Sequence, residues 1–192
     1  PDDHFDMVTC QTVLMHVPSA LAAVREMARV LRPGGLFVAA EPNNFGNAAS
    51  QLLAGGPLPW EQVAQLLELD YRTECGKDML GEGSYSVGEL LPGILVSLGW
   101  EAPGVNLNSQ CAPMVPPYDV GAARIGVYEK VYASGGILSA GGTRENVRRY
   151  FMAGGGREEA FDTLYEAARR RLGSILDAIA AGTFTSGGGH LH

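Results

Sequence analysis

The 192-residue sequence has only three cysteines, and they lie far apart at Cys10, Cys75 and Cys111. An odd number of widely spaced cysteines predicts neither a disulfide framework nor a structural metal site, because the ligand spacings of such sites are missing. Long hydrophobic runs are missing too, since no apolar stretch approaches the roughly 20 residues that a membrane span needs. No charged-then-apolar signal segment opens the sequence. We therefore expect a cytoplasmic location and no membrane partner.

Positive charge is scarce and scattered. The chain has 14 Lys and Arg against 21 Asp and Glu, which gives a net charge of −7, and the only basic cluster is Arg169-Arg170-Arg171. Nucleic-acid-binding domains concentrate their basic residues on one face or stripe, so we expect no nucleic-acid partner. What the sequence does contain, 46% hydrophobic and 18% charged residues, is typical of a globular domain that encloses a core.

The first 40 residues alternate between the patterns of a strand, a helix and a second strand. A short apolar run predicts a strand near residues 5–10, and residues 36–40 predict another. Between them, Ser19 is a suitable helix N-cap, and the helix should stop at Arg32 because proline and two glycines follow. The apolar residues expected on one face of this helix are Leu21, Val24, Ala28 and Leu31.

Two strands joined by a helix through short connections predict a parallel βαβ unit, whose sheet is expected to be covered on both faces. In such sheets, ligands bind beyond the carboxyl ends of the strands. This topology places residues 10–12 and 41–44 at the functional rim. The rim is therefore where chemistry is expected first.

The remainder of the chain predicts mostly helices. A half-exposed antiparallel strand is expected at residues 105–108, because apolar and polar residues alternate there. We predict a partial α/β domain over 1–117 and a helical appendage over 118–192 that packs on it and does not fold independently. The predicted helices span residues 60–69, 87–98, 122–132, 143–152 and 157–181.

A glycine-spaced polar loop at residues 81–86 carries one aromatic side chain, Tyr85. Glycine hinges and an aromatic tip are suited to a lid that closes over a substrate, and Tyr85 is then a candidate substrate-binding residue. A plain solvent-exposed connection between two helices explains the same composition. Both interpretations stay open at this point.

Three motifs follow one another in residues 1–44: F-D-x-V at 5–8, L-x-H-V at 14–17 and R-V-L-R-P-G-G at 29–35. In this order the segment resembles class I, Rossmann-like methyltransferases from their fourth sheet strand to their fifth. The resemblance implies an α/β fold with a partial Rossmann-like parallel sheet. It also implies S-adenosylmethionine as cofactor and methyl transfer to a small-molecule acceptor.

The resemblance also assigns cofactor contacts. In the family, the residue after the fourth strand lies beside the adenine and methionine parts of the cofactor, which corresponds to Gln11, with Cys10 and Thr12 as its neighbours. The histidine of L-x-H-V, His16, lies near the cofactor and the substrate cleft. Glu41 and Asn43 follow the fifth strand, where relatives shape the acceptor pocket.

Two of these residues are candidates for proton transfer. His16 carries an imidazole, the group that exchanges protons near neutral pH, and Glu41 could deprotonate or orient the acceptor. The alternatives are that His16 orients its loop by hydrogen bonding and that Glu41 caps the following segment or is merely solvated. Because the sulfonium methyl group is already activated, positioning supplies much of the acceleration and a catalytic base need not exist.

The family's glycine-rich turn and its ribose-binding acidic residue have no equivalent ahead of Phe5, so we expect a fragment of a longer protein. An alternative is a non-enzymatic interaction module, or a half-domain that needs a partner chain. In that case the unpaired strand edges would favour self-association. A nicotinamide oxidoreductase is a weaker alternative, disfavoured by the motif at 29–35 and by the absence of Tyr-x-x-x-Lys.

Overall fold

The computed structural model describes residues 1–101, 103–106, 113–138 and 142–187, which form two compact units. One unit, here the α/β unit, contains residues 1–44 and 77–106. The other, the helical unit, contains residues 45–76 and 113–187. Both units are discontinuous along the chain, whereas the predicted division into 1–117 and 118–192 is sequential, and that division stays a prediction.

Two strands, one short 3-10 turn and seven helices occur among the described residues. The α/β fold class and its opening strand, helix and strand are confirmed. In chain order the elements are β1 (Phe5–Gln11), the 3-10 turn (Leu14–His16), α1 (Ala20–Val30), β2 (Leu31–Ala40), α2 (Asn44–Gln51), α3 (Trp60–Met79), α4 (Val87–Ser97), α5 (Ala122–Ala133), α6 (Arg144–Ala153) and α7 (Glu158–Ala180).

Strands β1 and β2 pair in parallel, in a register that runs from Met7 opposite Leu36 to Gln11 opposite Ala40. Helix α1 begins where predicted, because the Ser19 hydroxyl accepts a hydrogen bond from the backbone N–H of Ala22 at 3.1 Å. It ends earlier than the predicted Arg32. Leu31 is already extended and pairs with Phe5, so β2 begins before the Pro-Gly-Gly turn and is irregular until regular pairing resumes.

One face of this two-stranded sheet is buried and the other is exposed. The buried face contributes Cys10, Phe37 and Ala39 to a core that also contains residues of α1 and α4. The prediction that both faces are covered is therefore wrong for this chain, because among the described residues α1 and α4 pack on the same face. Large apolar residues left exposed on the strands are Phe5 (46%), Met7 (54%), Leu36 (52%) and Val38 (46%).

Helix α1 buries most of the predicted face. Val24 is fully buried and Ala28 is partly buried as expected, whereas Leu21 is exposed and the partly buried positions also include Ala20, Ala23 and Met27. Leu31 is buried too, but as the first residue of β2 and not as part of the helix.

The helical unit is organised around α7. One face of α7 is apolar and buried, with Phe161, Tyr165 and Leu172 among its fully buried members. Close approach between α3 and the end of α6 depends on glycine, because a Cβ on Gly154 would lie 2.0 Å from the carbonyl oxygen of Arg72. Two clusters form the core; their buried members are Leu69, Ile137, Val147, Phe151, Phe161, Leu164 and Tyr165 in one, and Met114, Tyr128, Leu172, Ile175 and Phe184 in the other.

Helix α3 is longer than predicted, because it continues through Gly76 to Met79. Close packing keeps Gly76 in the helix, since a Cβ there would lie 1.7 Å from the carbonyl oxygen of Tyr150. The predicted antiparallel strand at 105–108 is not seen in residues 105 and 106, and residues 107 and 108 lie outside the described residues, as does Cys111. None of the described helices has the length and apolar character needed to cross a membrane.

Candidate functional site at the carboxyl ends of the two strands

The rim begins where β1 ends and the chain turns sharply. The Thr12 N–H donates to the carbonyl oxygen of Ala40 at 2.9 Å, which is the last backbone contact between the two strands. Thr12 then adopts a φ of +51°, and its hydroxyl donates to the carbonyl oxygen of Gln11 at 2.8 Å. Left-handed geometry at a β-branched residue is strained, and such strain tends to occur at functional sites. The turn leaves the side chains of Gln11 and Thr12 exposed.

Glu41, the first residue after β2, binds the backbone that follows β1. Its Oε1 accepts the N–H groups of Val13 at 2.9 Å and Leu14 at 3.0 Å. Its Oε2 accepts the N–H of Met15 at 3.4 Å. These are the first N–H groups of the 3-10 turn, which has no side-chain cap of its own. Glu41 therefore caps this turn from the neighbouring strand. We call residues 12–16 the rim turn.

Cys10 lies beside Glu41 but its side chain belongs to the core, where it packs with Leu14 and Met15. Burial, followed by the charge of Glu41 and a hydrogen bond to that carboxylate, raises the pKa of the Cys10 thiol from 9.0 to about 11. The thiol is therefore neutral near pH 7, which agrees with a small buried hydrophobic residue and not with a nucleophile.

His16 is the last residue of the 3-10 turn, and it is exposed. Its backbone N–H donates to the carbonyl oxygen of Val13 at 3.0 Å, while the preceding Leu14 and Met15 are buried. Two buried side chains thus anchor the turn and direct the imidazole away from the core. The His16 imidazole is therefore exposed, and its place beside a cofactor and substrate cleft stays a prediction from the resemblance.

Lys77, in the last turn of α3, is a rim residue that the sequence did not reveal. It is only 3% exposed, and its ammonium group donates to the carbonyl oxygens of Met15 and Glu82. The ammonium also lies 4.3 Å from the ring centroid of Tyr85, within cation–π range. The predicted helix ends at Leu69, before Lys77. Gly76, a residue that weakens helices, directly precedes Lys77, so no local signal extends the predicted helix that far.

The predicted lid loop, residues 81–86, packs against the rim turn. Gly83 has a φ of +90°, and a Cβ there would lie 2.5 Å from the carbonyl oxygen of Met15. The carbonyl oxygen of Tyr85 accepts the N–H of Asn44 at 3.4 Å, so the loop is also tied to the end of β2. In this conformation the Tyr85 ring is half-buried beside Lys77.

Asn43 completes the second strand's contribution to the rim. Its Nδ2 donates to Oε2 of Glu89, in the first turn of α4, at 3.0 Å. The rim therefore combines an exposed amide at Gln11, a hydroxyl at Thr12 and an imidazole at His16 with a carboxylate and an amide that bind the chain itself. Among the described residues, no group of three or more acidic, histidine or cysteine side chains is arranged to hold a metal ion.

Residues 1–39, which include β1, the rim turn and β2 up to its last residue but one, match the family model of a methyltransferase domain. The chain is also similar to the ubiquinone biosynthesis O-methyltransferases of Xanthomonas campestris pv. campestris (strain B100) and Xanthomonas oryzae pv. oryzae (strain PXO99A). Each is 38% identical over 63 residues, which are 33% of this chain and 25% of the relative. The chain thus spans about a quarter of the length of the curated relatives it matches.

Proposed function

We propose that this chain, whose opening segment is that of a class I S-adenosylmethionine-dependent methyltransferase, takes part in transferring a methyl group from that cofactor to a small-molecule acceptor. The observation that carries the proposal is the family match, which covers β1, the rim turn, α1 and nearly all of β2. Exposed Gln11, Thr12 and His16 all lie within this segment and support it. The names of the relatives favour an oxygen atom as the acceptor.

The rim has the chemistry to contact one flank of the cofactor. Gln11 and Thr12 are exposed, and their amide and hydroxyl groups both donate and accept hydrogen bonds, as the polar parts of a nucleoside require. The neighbouring Val13 side chain is 44% exposed and adds an apolar surface of the kind that ring systems pack against. When bound, the cofactor supplies a methyl group on an activated sulfonium.

The other rim residues orient and exchange protons in this proposal. Glu41 orients the rim turn through its three backbone contacts, which makes it a positioning residue for Gln11 and Thr12. His16 is exposed and takes the proton of an acceptor hydroxyl. Asn43, oriented by Glu89, and Tyr85, beside Lys77, border the acceptor. Orientation of two reactants can supply most of the acceleration in a direct displacement.

Binding of labelled S-adenosylmethionine is the direct test. It is measured on this chain and on a chimaera that joins the chain to the part of the Xanthomonas campestris relative that precedes the matched segment. We expect saturable binding by the chimaera and about tenfold weaker binding after Gln11→Ala, because one polar contact is lost. Gln62→Ala, on helix α3, is the matched control and should leave the affinity unchanged. Failure of both proteins to bind the cofactor would contradict the proposal.

Assembly with another polypeptide is a second candidate function, favoured by the exposed apolar face of the sheet. Both faces of parallel sheets are normally covered, yet Met7, Leu36 and Val38 are about half exposed here. Sedimentation equilibrium of the chain distinguishes the cases. A monomer at all concentrations would contradict self-association, whereas a dimer that Met7→Ser and Val38→Ser dissociate would support it.

A further inference from the structure

Groups of opposite charge bind the rim turn from two elements that are distant in sequence. The carboxylate of Glu41, after β2, accepts the N–H groups that open the turn. The ammonium of Lys77, at the end of α3, donates to the carbonyl oxygen of Met15 within the same turn. The carboxylate binds backbone donors of the rim turn, and the ammonium binds a backbone acceptor of the same turn. Neither charged group can replace the other in these hydrogen bonds.

The burial of Lys77 requires these contacts. Lysine is almost never fully buried, because removal of the ammonium group from water is costly unless hydrogen bonds replace the lost hydration. Here two carbonyl oxygens and the face of Tyr85 surround the ammonium. An apolar side chain at this position would leave the carbonyl oxygens of Met15 and Glu82 without their donor. The position of Lys77 is thus coupled to the position of the rim turn.

The backbone conformation of Thr12 is strained, and these contacts oppose its relaxation. A threonine at a φ of +51° is strained, and strain of this kind persists only where the surrounding structure determines the conformation. The charged contacts begin at the next residue, Val13. Gly83 leaves little free space beside the turn, because a Cβ there would lie 2.5 Å from the carbonyl oxygen of Met15. When these contacts are lost, the turn can relax toward an ordinary extended or helical φ.

We infer that Lys77 and Glu41 act together as positioning residues that hold the rim turn in its strained conformation and so fix Gln11, Thr12 and His16 for cofactor binding. The conformational part of this inference stands on the contacts alone. The part that concerns the cofactor rests on the proposed function. Lys77 and Glu41 both lie outside residues 1–39, the segment that matches the methyltransferase domain.

Amide hydrogen exchange of the 192-residue chain tests the conformational part. We expect exchange of the Val13, Leu14 and Met15 N–H groups to be at least tenfold faster in Lys77→Met and in Glu41→Gln. The double variant should exchange little faster than the faster single variant, because either loss releases the same turn. Lys77→Arg keeps a donor and should recover part of the protection. Lys130→Met, the only other lysine of the chain, is the matched exposed control and should exchange like the wild type.

The N–H of Val24, in the middle of α1, reports whether each variant is folded, since this residue is fully buried in the same unit. Unchanged exchange in the rim turn of a folded Lys77→Met chain would overturn the inference. So would additive effects of the two substitutions, because these would mean that the two contacts act independently.

Cofactor affinity of the same variants, measured in the chimaera, tests the remaining part. We expect Lys77→Met to weaken binding about tenfold, and Lys77→Arg to restore part of it, without any contact between Lys77 and the cofactor. If amide exchange in the rim turn becomes faster while the cofactor affinity stays unchanged, the inferred role of Lys77 and Glu41 in cofactor binding is overturned. If the wild-type chimaera binds no cofactor, the proposed function fails, and the exchange rates alone then decide the role of the two charges.

Discussion

The α/β unit and the helical unit differ in how completely they bury their apolar residues. The helical unit encloses three aromatic rings, and the ring of Phe161 contacts those of Phe151 and Tyr165; all three are almost fully buried. In the α/β unit the buried core residues are aliphatic or sulfur-containing, its aromatic side chains are only partly buried, and one sheet face remains exposed. Yet the family match falls entirely in the α/β unit.

This contrast separates two kinds of information in one sequence. The segment that matches the methyltransferase domain contains the rim turn, which has its hydrogen bonds here although one face of the sheet is exposed. The fold of the helical unit instead follows from the periodic spacing of its apolar residues. Many different sequences have that spacing. The segment with a family match therefore includes the rim turn. The more completely buried helical unit is the one that we expect to contribute more to stability.

The largest effect is expected from core truncation, which compares the two units directly. Phe161→Ala should lower the free energy of unfolding by about 3–5 kcal/mol, and Leu14→Ala by somewhat less, about 2–4 kcal/mol, because fewer buried atoms are removed. Chemical denaturation measures both values. Trp60→Ala, at a position that is 71% exposed, is the control and should change stability by less than about 0.5 kcal/mol. A larger loss at Leu14 than at Phe161 would reverse the comparison.

A smaller effect on the free energy of unfolding is expected from a change in pH. It should come from the thiol of Cys10, in the α/β unit. The folded-state pKa of Cys10 is raised from 9.0 to about 11, so the folded chain binds the thiol proton more tightly than the unfolded chain. This stabilisation is fully present below pH 9 and is lost as the pH rises from about 9 to about 11. Unfolding free energies of wild type and Cys10→Ala across this range measure it.

The wild type should lose stability relative to Cys10→Ala as the pH rises through that window. Cys75→Ala retains Cys10 and is the matched control, so it should lose stability as the wild type does. Parallel pH profiles of the wild type and Cys10→Ala would show that Cys10 is not the group responsible.

The smallest effect is expected from a matched pair of helix caps. The Ser19 hydroxyl accepts the N–H of Ala22 at 3.1 Å at the start of α1, and the Thr143 hydroxyl accepts the N–H of Asn146 at 3.3 Å at the start of α6. Replacement of either by alanine should cost about 1 kcal/mol. Thermal denaturation compares the two variants. Equal losses of stability would show that the contribution of a helix cap does not depend on the burial of its unit. A loss in only one variant would show that it does.

Elements with strong local signals were predicted well from the sequence. The parallel strands, the Ser19 cap and helices α4 to α7 follow from periodicity and from breaker residues, which act over a few positions. Helix α2, at Asn44–Gln51, was missed because it contains no clear apolar stripe, and it has no fully buried residue. The end of α1 was misplaced because a strand pairing, with a partner 26 residues away, determines it.

The candidate site was only partly predictable for the same reason. Its expected location at the strand ends follows from the topology of parallel sheets. The structure pairs Gln11 with Ala40 and binds the rim turn to Glu41, while the site roles of His16 and Asn43 stay predictions. The backbone contacts of Glu41 and the burial of Lys77 join residues that are 26 to 62 positions apart. No local pattern encodes such contacts.

The sequence separation between Glu41 and the turn that it caps has a consequence for the order of folding. Three N–H groups near the start of the chain obtain their acceptor from a residue 26 to 28 positions later. A contact of this range forms only after the intervening helix and both strands have come together. During synthesis, a nascent chain that has emerged only as far as Ala40 can pair its strands but cannot yet fix the rim. We therefore expect the rim to gain its native structure late, after the scaffold that supports it.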